Sequence, residues 1–235
     1  FMSTKNMSLW EEIKPMQFEN LSQNTECDVG IIGGGIAGLT IAYELLQKGK
    51  SVIVLEGKEI GGGETGRTSA HLSNALDEGY VKLQKMFGVS GAKLAAQSHT
   101  AAINLIEKIV QTEKIDCDFE RVSGYLLGTN TKDLQAELES AHQSGLVDVL
   151  FEKESPIDPK SAALFFPQQA QFHPQKYLNG LAEAIIKKGG KIYTNTYVKD
   201  VQEKETVVVT TQAGVTITCQ SAVVATNTPF LNTFA

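Results

Sequence analysis

The stretch Asp28–Glu56, DVGIIGGGIAGLTIAYELLQKGKSVIVLE, decides the fold. Val29, Ile31 and Ile32 form a short apolar run suited to a strand buried on both faces. Gly33, Gly35 and Gly38 follow as G-x-G-x-x-G where that strand must turn into a helix. The first glycine permits the tight turn, the second lets backbone approach a diphosphate, and the third lets the helix lie close on the sheet. The helix N-terminus then faces the phosphates with unpaired N–H groups and the positive end of its dipole. Leu39, Ala42, Leu45 and Leu46 recur at helical spacing, Gly49 fits the stop, and SVIVLE reads as a second buried strand. Glu56 closes it, 23 residues after Gly33. A carboxylate there accepts hydrogen bonds from both ribose hydroxyls of an adenosine and repels the 2′-phosphate of NADP. Glycine turns alone are weak signals, since many bind nothing. Strand, glycines, helix, strand and acid in register point to a dinucleotide-binding βαβ unit.

The next informative stretch is residues 57–75, GKEIGGGETGRTSAHLSNA. Gly61, Gly62, Gly63 and Gly66 give a backbone that can come close to a ligand, and Thr65, Arg67, Thr68 and Ser69 add hydroxyls and a guanidinium. A loop leaving the second strand passes beside the nucleotide crevice, so it can extend the phosphate cradle. A nicotinamide cofactor has no obvious need of that second loop, whereas a longer cofactor with a ribityl chain does. A plain surface loop is the alternative, because glycine clusters also mark such loops.

Composition narrows the class. The chain has 235 residues, enough for a sizeable core, with 42% hydrophobic and 20% charged residues. Net charge is −6 and no basic cluster interrupts it, which argues against nucleic acid or an anionic membrane as partner. No apolar run approaches the roughly 18 residues that span a bilayer. The N-terminal residues lack a signal pattern, so the expected location is cytoplasmic. Cys27, Cys117 and Cys219 are isolated and read as buried thiols rather than a disulfide framework or a metal site. His71, His99, His142 and His173 are scattered without metal spacing, and His71 and His173 read as surface or capping residues. Phe1, ahead of Met2, is set aside from the fold.

Residues 1–24 read either as an arm anchored on the domain by Trp10 or as a partly ordered tail. Helices are predicted near Asp77–Phe87 and Ser90–Glu113, the second with an apolar stripe of Leu94, Ala95, Ala102, Ile106, Ile109 and Val110. CDFERVSGYLLGT reads as one or two strands, TKDLQAELESAHQSG as a helix with a threonine cap, and VDVLFE as a strand. This block breaks the βαβ rhythm and reads as an inserted domain. A helix over Pro174–Lys188 ends at Gly189 and Gly190, and KIYTN, YVKDVQEKE, TVVVTT, GVTITC and AVVAT are strand-like, with QAG a hairpin turn. The expected fold is α/β. A discontinuous Rossmann-like nucleotide domain covers 25–113 and 173–235, and part of an α+β substrate or cap domain covers 114–172.

IIGGGIAGLT, the strand-end Glu56, GGGETGRTSA and AVVAT together resemble the FAD-dependent amine and amino-acid oxidoreductases that include D-amino-acid oxidase and glycine oxidase, the DAO family. More narrowly, SLW, GGGETGRTSAHL and IDCDFERVSGYL resemble the subgroup whose chains end in a Rieske iron–sulfur domain. The resemblance implies FAD as cofactor. Gly33, Gly35, Ile36, Ala37 and Gly38 would hold the diphosphate and Glu56 the adenosine ribose. Gly63, Thr65, Arg67, Thr68 and Ser69 would lie along the phosphate, ribityl and flavin side. Val198 would meet the adenine, and Ala225 and Thr226 would close over the nucleotide. Three positions depart from the family pattern: Gly57 where a basic residue is common, Thr68 where asparagine is common, and Asn227 where glycine is usual. The resemblance covers essentially the whole chain but only the first part of a family member, and neither Rieske ligands nor a catalytic base is identified.

The implied activity is oxidation of a C–N bond in a small amine or amino acid, with hydride passing from the neutral amine to flavin and the imine hydrolysing. Arg67 either stabilises negative charge on reduced flavin or forms a structural ion pair. Two other readings stay open: a flavin relay passing electrons to a Rieske [2Fe–2S] domain, and an FAD-binding fragment without activity.

Overall fold

The computed structural model describes residues 8–203 and 205–228. Phe1, the start of the arm and the Pro229–Phe230 end of AVVATNTPF lie outside the described residues. In chain order the elements are β1 (Thr25–Ile32), α1 (Ile36–Gln47), β2 (Val52–Leu55), β3 (His71–Leu72), α2 (Tyr80–Glu113), β4 (Glu120–Gly128) and α3 (Thr131–Gln143). They continue as β5 (Leu150–Glu152), β6 (Ala162–Gln171), α4 (Pro174–Lys187), β7 (Lys191–Tyr193), β8 (Val198–Glu203), β9 (Val207–Thr211) and β10 (Thr216–Val224). Short 3-10 turns occur at Leu9–Glu12 and Glu64–Arg67.

Two compact units divide the chain. The first takes residues up to Ser69, Glu113–Cys117 and the chain from His173, and the second takes Ala70–Thr112 and Asp118–Phe172. The boundary therefore falls at Ser69 rather than near 113 as the sequence suggested. The reason is packing: β3 pairs antiparallel with β6, and Tyr80, Ala92 and Ala96 of α2 share a core with Leu134, Leu164 and Phe166. Residues 114–117 belong instead with the first unit, where the amide of His173 donates to the Cys117 carbonyl at 2.7 Å.

In the first unit the sheet order is β7-β2-β1-β10-β9-β8. The strands β7, β2, β1 and β10 are mutually parallel, and β9 and β8 are antiparallel additions. Parallel strands need both faces covered, and all four residues of β2 and the last four of β1 are buried. GVTITC and AVVAT, read from sequence as separate strands, are one continuous β10, whose Val223 pairs with Ile31. The described part of the arm is packed. Thr194 Oγ1 donates to the Phe18 carbonyl at 2.6 Å, and the Leu21 amide donates to Thr196 Oγ1 at 3.1 Å.

The second unit holds the β3-β6-β4 sheet, with β5 also pairing β6. The two helices expected before residue 113 are present within α2, separated at Gly88, whose φ +71° and ψ 173° are not helical. Asn130, not Thr131, caps α3, its side chain accepting from the Lys132 amide at 3.0 Å. The strand β6 went unread because Pro167 and three glutamines interrupt its apolar pattern. Its Gln168 carbonyl is held by Arg121 Nη1 at 2.6 Å. No helix among the described residues is long and apolar enough to cross a membrane.

Cys27 and Cys219 are register partners across β1 and β10, and neither they nor buried Cys117 form a disulfide. Burial, ahead of the neighbouring Cys219, pushes the Cys27 thiol up to about 12, and burial also raises Cys219. A raised thiol stabilises the fold below its unfolded value, and that contribution is lost as pH climbs toward about 12. At pH 8, iodoacetamide is expected to alkylate Cys27 in the native chain at least about tenfold more slowly than in urea, as followed by peptide mass spectrometry.

Candidate functional site

A cleft of about 770 Å³ opens where β1, β2 and β10 end. Its wall is built mostly from backbone. β1 stops at Ile32, and Gly33 turns the chain with φ +117°, its amide donating to the Leu55 carbonyl at 2.8 Å. A Cβ on Gly33 would lie 2.7 Å from the Ala225 carbonyl oxygen. The Ala225 amide donates to the Ile32 carbonyl at 2.8 Å, so the segment leaving β10 is laid against the turn. α1 begins at Ile36 with Gly35 as N-cap and no side-chain capping bond. A Cβ on Gly38 would sit 1.9 Å from the Gly33 carbonyl oxygen, so the first helical turn rests directly on the glycine turn.

Glu56 leaves β2 into the same cleft. Its Oε2 accepts from the Gly34 amide at 2.7 Å and its Oε1 from the Lys58 amide at 2.8 Å. The two donors set the half-buried carboxylate in one orientation at the strand tip. The second glycine loop is bonded to the first: Gly61 donates its amide to the Gly34 carbonyl at 3.2 Å, and the Ile36 amide donates to Thr65 Oγ1 at 3.2 Å. It is therefore a wall of the cleft rather than a detached surface loop.

Of the residues singled out from sequence, Gly33, Gly35, Ile36, Ala37, Glu56, Gly63, Thr65, Arg67, Val198, Ala225 and Thr226 line this one cleft. Gly38, Thr68 and Ser69 do not. Gly38 is pressed against Gly33, the Thr68 carbonyl is taken by the Trp10 indole N–H at 2.8 Å, and exposed Ser69 ends the first unit. Sequence reasoning missed Tyr197, whose ring lies so close over Gly57 that a Cβ there would meet it at 2.9 Å. The absence of a side chain at Gly57, noted as a departure, was the signal. It also missed Lys58, Thr196 and Thr228. His173 caps α4, its Nδ1 accepting from the Lys176 amide at 3.3 Å.

The arrangement fits a dinucleotide. The helix start, whose N-cap Gly35 carries no side chain, turns backbone N–H groups and positive potential toward a diphosphate, with the Ile36 amide already given to Thr65 Oγ1, and the side-chain-free turn permits close approach. The anchored carboxylate suits paired hydroxyls, and the volume falls within the roughly 300–1,000 Å³ of ligand clefts. Glu56 is committed to backbone donors, and no lining residue is assigned as a catalytic base.

The family model described as FAD dependent oxidoreductase, DAO, matches residues 28–233. The chain is 35% identical over 217 residues to a Bacillus subtilis protein named putative Rieske 2Fe-2S iron-sulfur protein YhfW, covering 91% of this chain and 42% of that one. It is 29% identical over 219 residues to the gamma-glutamylputrescine oxidoreductase of Escherichia coli, covering 89% and 51%. The fold matches an L-amino acid deaminase from Proteus myxofaciens with TM-score 0.72 at 20% identity, over 90% of this chain and 48% of that one. The chain thus spans about half the length of the relatives it matches.

Gly38→Ala drives a Cβ into the Gly33 carbonyl and is expected to cost about 1–3 kcal/mol or more. Gly63→Ala, with nothing within 4 Å of its Cβ, is expected to stay within about 0.5 kcal/mol. Glu56→Ala leaves the Gly34 amide without its acceptor and is expected to cost about 1–3 kcal/mol. Urea denaturation of the three variants measures each difference.

Proposed function

The chain belongs to the DAO family of FAD-dependent oxidoreductases, and on that premise we propose that the whole protein oxidises the C–N bond of a small amine or amino acid. The observation that carries this reading is the meeting of a glycine-capped helix start and an anchored strand-end carboxylate in one cleft. When bound, FAD supplies a two-electron acceptor for hydride leaving the carbon beside nitrogen. The chain's own part is to hold and orient. Backbone at Gly35 and Ala37 would receive the diphosphate, with Gly33 and Ile36, whose amides are given to Leu55 and Thr65, bordering it and Gly38 keeping the helix close. Glu56 takes the ribose hydroxyls and repels a 2′-phosphate. Val198, Ala225 and Thr226 border the nucleotide, while Gly63, Thr65 and Arg67 extend along the ribityl and flavin side, with Thr68 and Ser69 behind them. Arg67 adds positive charge where electron density builds on reduction. The amine preference draws on the relative named gamma-glutamylputrescine oxidoreductase, and a cytoplasmic location suits three cysteines that form no disulfide.

A second reading is favoured by the 35% identity to a protein named for a Rieske cluster. In it the flavin passes electrons to a [2Fe–2S] domain of the whole protein. Iron and acid-labile sulfide analysis of the whole protein separates the two, since a relay without a cluster fails.

Anaerobic mixing of the FAD-loaded whole protein with a panel of secondary amines, polyamine derivatives and amino acids tests the leading reading. At least one is expected to bleach the flavin band near about 450 nm. Bleaching by none of them would sink the oxidase assignment.

A further inference from the structure

The SLW stretch, Ser8–Trp10, takes no part in the cleft, yet it is tied to a wall of it. Ser8 Oγ accepts from the Trp10 amide at 3.4 Å and starts the 3-10 turn Leu9–Glu12. That turn aims the indole, whose Nε1–H donates to the Thr68 carbonyl at 2.8 Å. The indole edge also packs on His173, with ring centroids 5.0 Å apart at 66°. Thr68 ends the 3-10 turn Glu64–Arg67, the piece of loop that carries Thr65 and Arg67 into the cleft. On the cleft side the same loop is held by the Ile36–Thr65 and Gly61–Gly34 bonds. The arm has its own moorings, with the Met16 amide donating to Asn179 Oδ1 at 3.1 Å and Asn179 Nδ2 donating to the Lys14 carbonyl at 3.0 Å. A loop with four glycines between 61 and 66 loses much backbone entropy on ordering, so it keeps one shape only where contacts hold it.

We propose that Trp10 is a positioning residue for the nucleotide. Its indole N–H clamps the end of the Gly61–Thr68 loop from outside and so presents Thr65 and Arg67 to the ribityl side of FAD. The N-terminal arm thereby sets how tightly the cofactor is held. This rests on the FAD reading of the cleft.

The test is titration of the full chain, stripped of flavin, with FAD, followed by flavin fluorescence and by the shape of the visible band. Trp10→Phe keeps a ring for packing and removes the donor. It is expected to raise Kd about five- to tenfold and to blur the band's vibrational shoulders, with little change in the unfolding temperature of the FAD-free protein. Ser8→Ala, which loosens the aiming turn, is expected to shift Kd in the same direction by less. Where Thr65→Ala has already cut the loop's cleft contact, Trp10→Phe is expected to add less than about twofold. An unchanged Kd, strictly additive penalties, or a lowered FAD-free unfolding temperature without a Kd change overturns the inference while the FAD assignment stands. Failure of the unsubstituted chain to bind FAD overturns both.

Discussion

The carbonyl of Gly33 and the Cα of Gly38 share a space that admits no side chain, since a Cβ at Gly38 would stand 1.9 Å from that oxygen. This contact sets how closely α1 lies on the end of β1, and much of the cleft follows from it. With the helix seated there, its first N–H groups open toward the carboxyl end of the sheet. Gly34 comes within reach of the Glu56 carboxylate, and Ile36 within reach of the Thr65 hydroxyl. Moving the helix outward by the width of a methyl group would lengthen all of these bonds together.

The cleft is largely a backbone site. The lining turns at Gly33–Ala37, Gly61–Gly63 and Ala225–Thr226 present peptide groups, and Glu56 is held by two amides rather than aimed by side-chain packing. The shape of such a wall is set by the backbone itself, because its peptide groups are paired or pointed by secondary structure. The cleft is suited to retaining a cofactor whose own ring carries the redox chemistry. The anchored carboxylate and the Tyr197 ring over Gly57 shape the opposite wall.

The βαβ unit was legible from Asp28 to Glu56 because each decision in it is local. An apolar run on β1, glycines at a turn and an acid at the next strand end need only neighbouring sequence to be read. The second loop was legible as a candidate through its glycines and hydroxyls. Its attachment was not, because the Gly61–Gly34 and Thr65–Ile36 bonds join segments about thirty residues apart. The unit boundary at Ser69 was misplaced for a related reason. The apolar stripe of α2 states that one face is buried but not which sheet buries it, and β6, the strand that organises that sheet, hides its pattern behind Pro167 and Gln168.

By itself the sequence determined the α/β class, the nucleotide turn with its acid, and the family likeness carried by those motifs. Only the tertiary structure decided that β10 lies beside β1, that Tyr197 roofs Gly57, and that Trp10 braces the second loop at Thr68. Periodicity and turn chemistry are written within a few residues of where they act. Pairing between remote segments depends instead on which buried faces and unpaired backbone groups meet when the chain closes, and no single stretch contains that information.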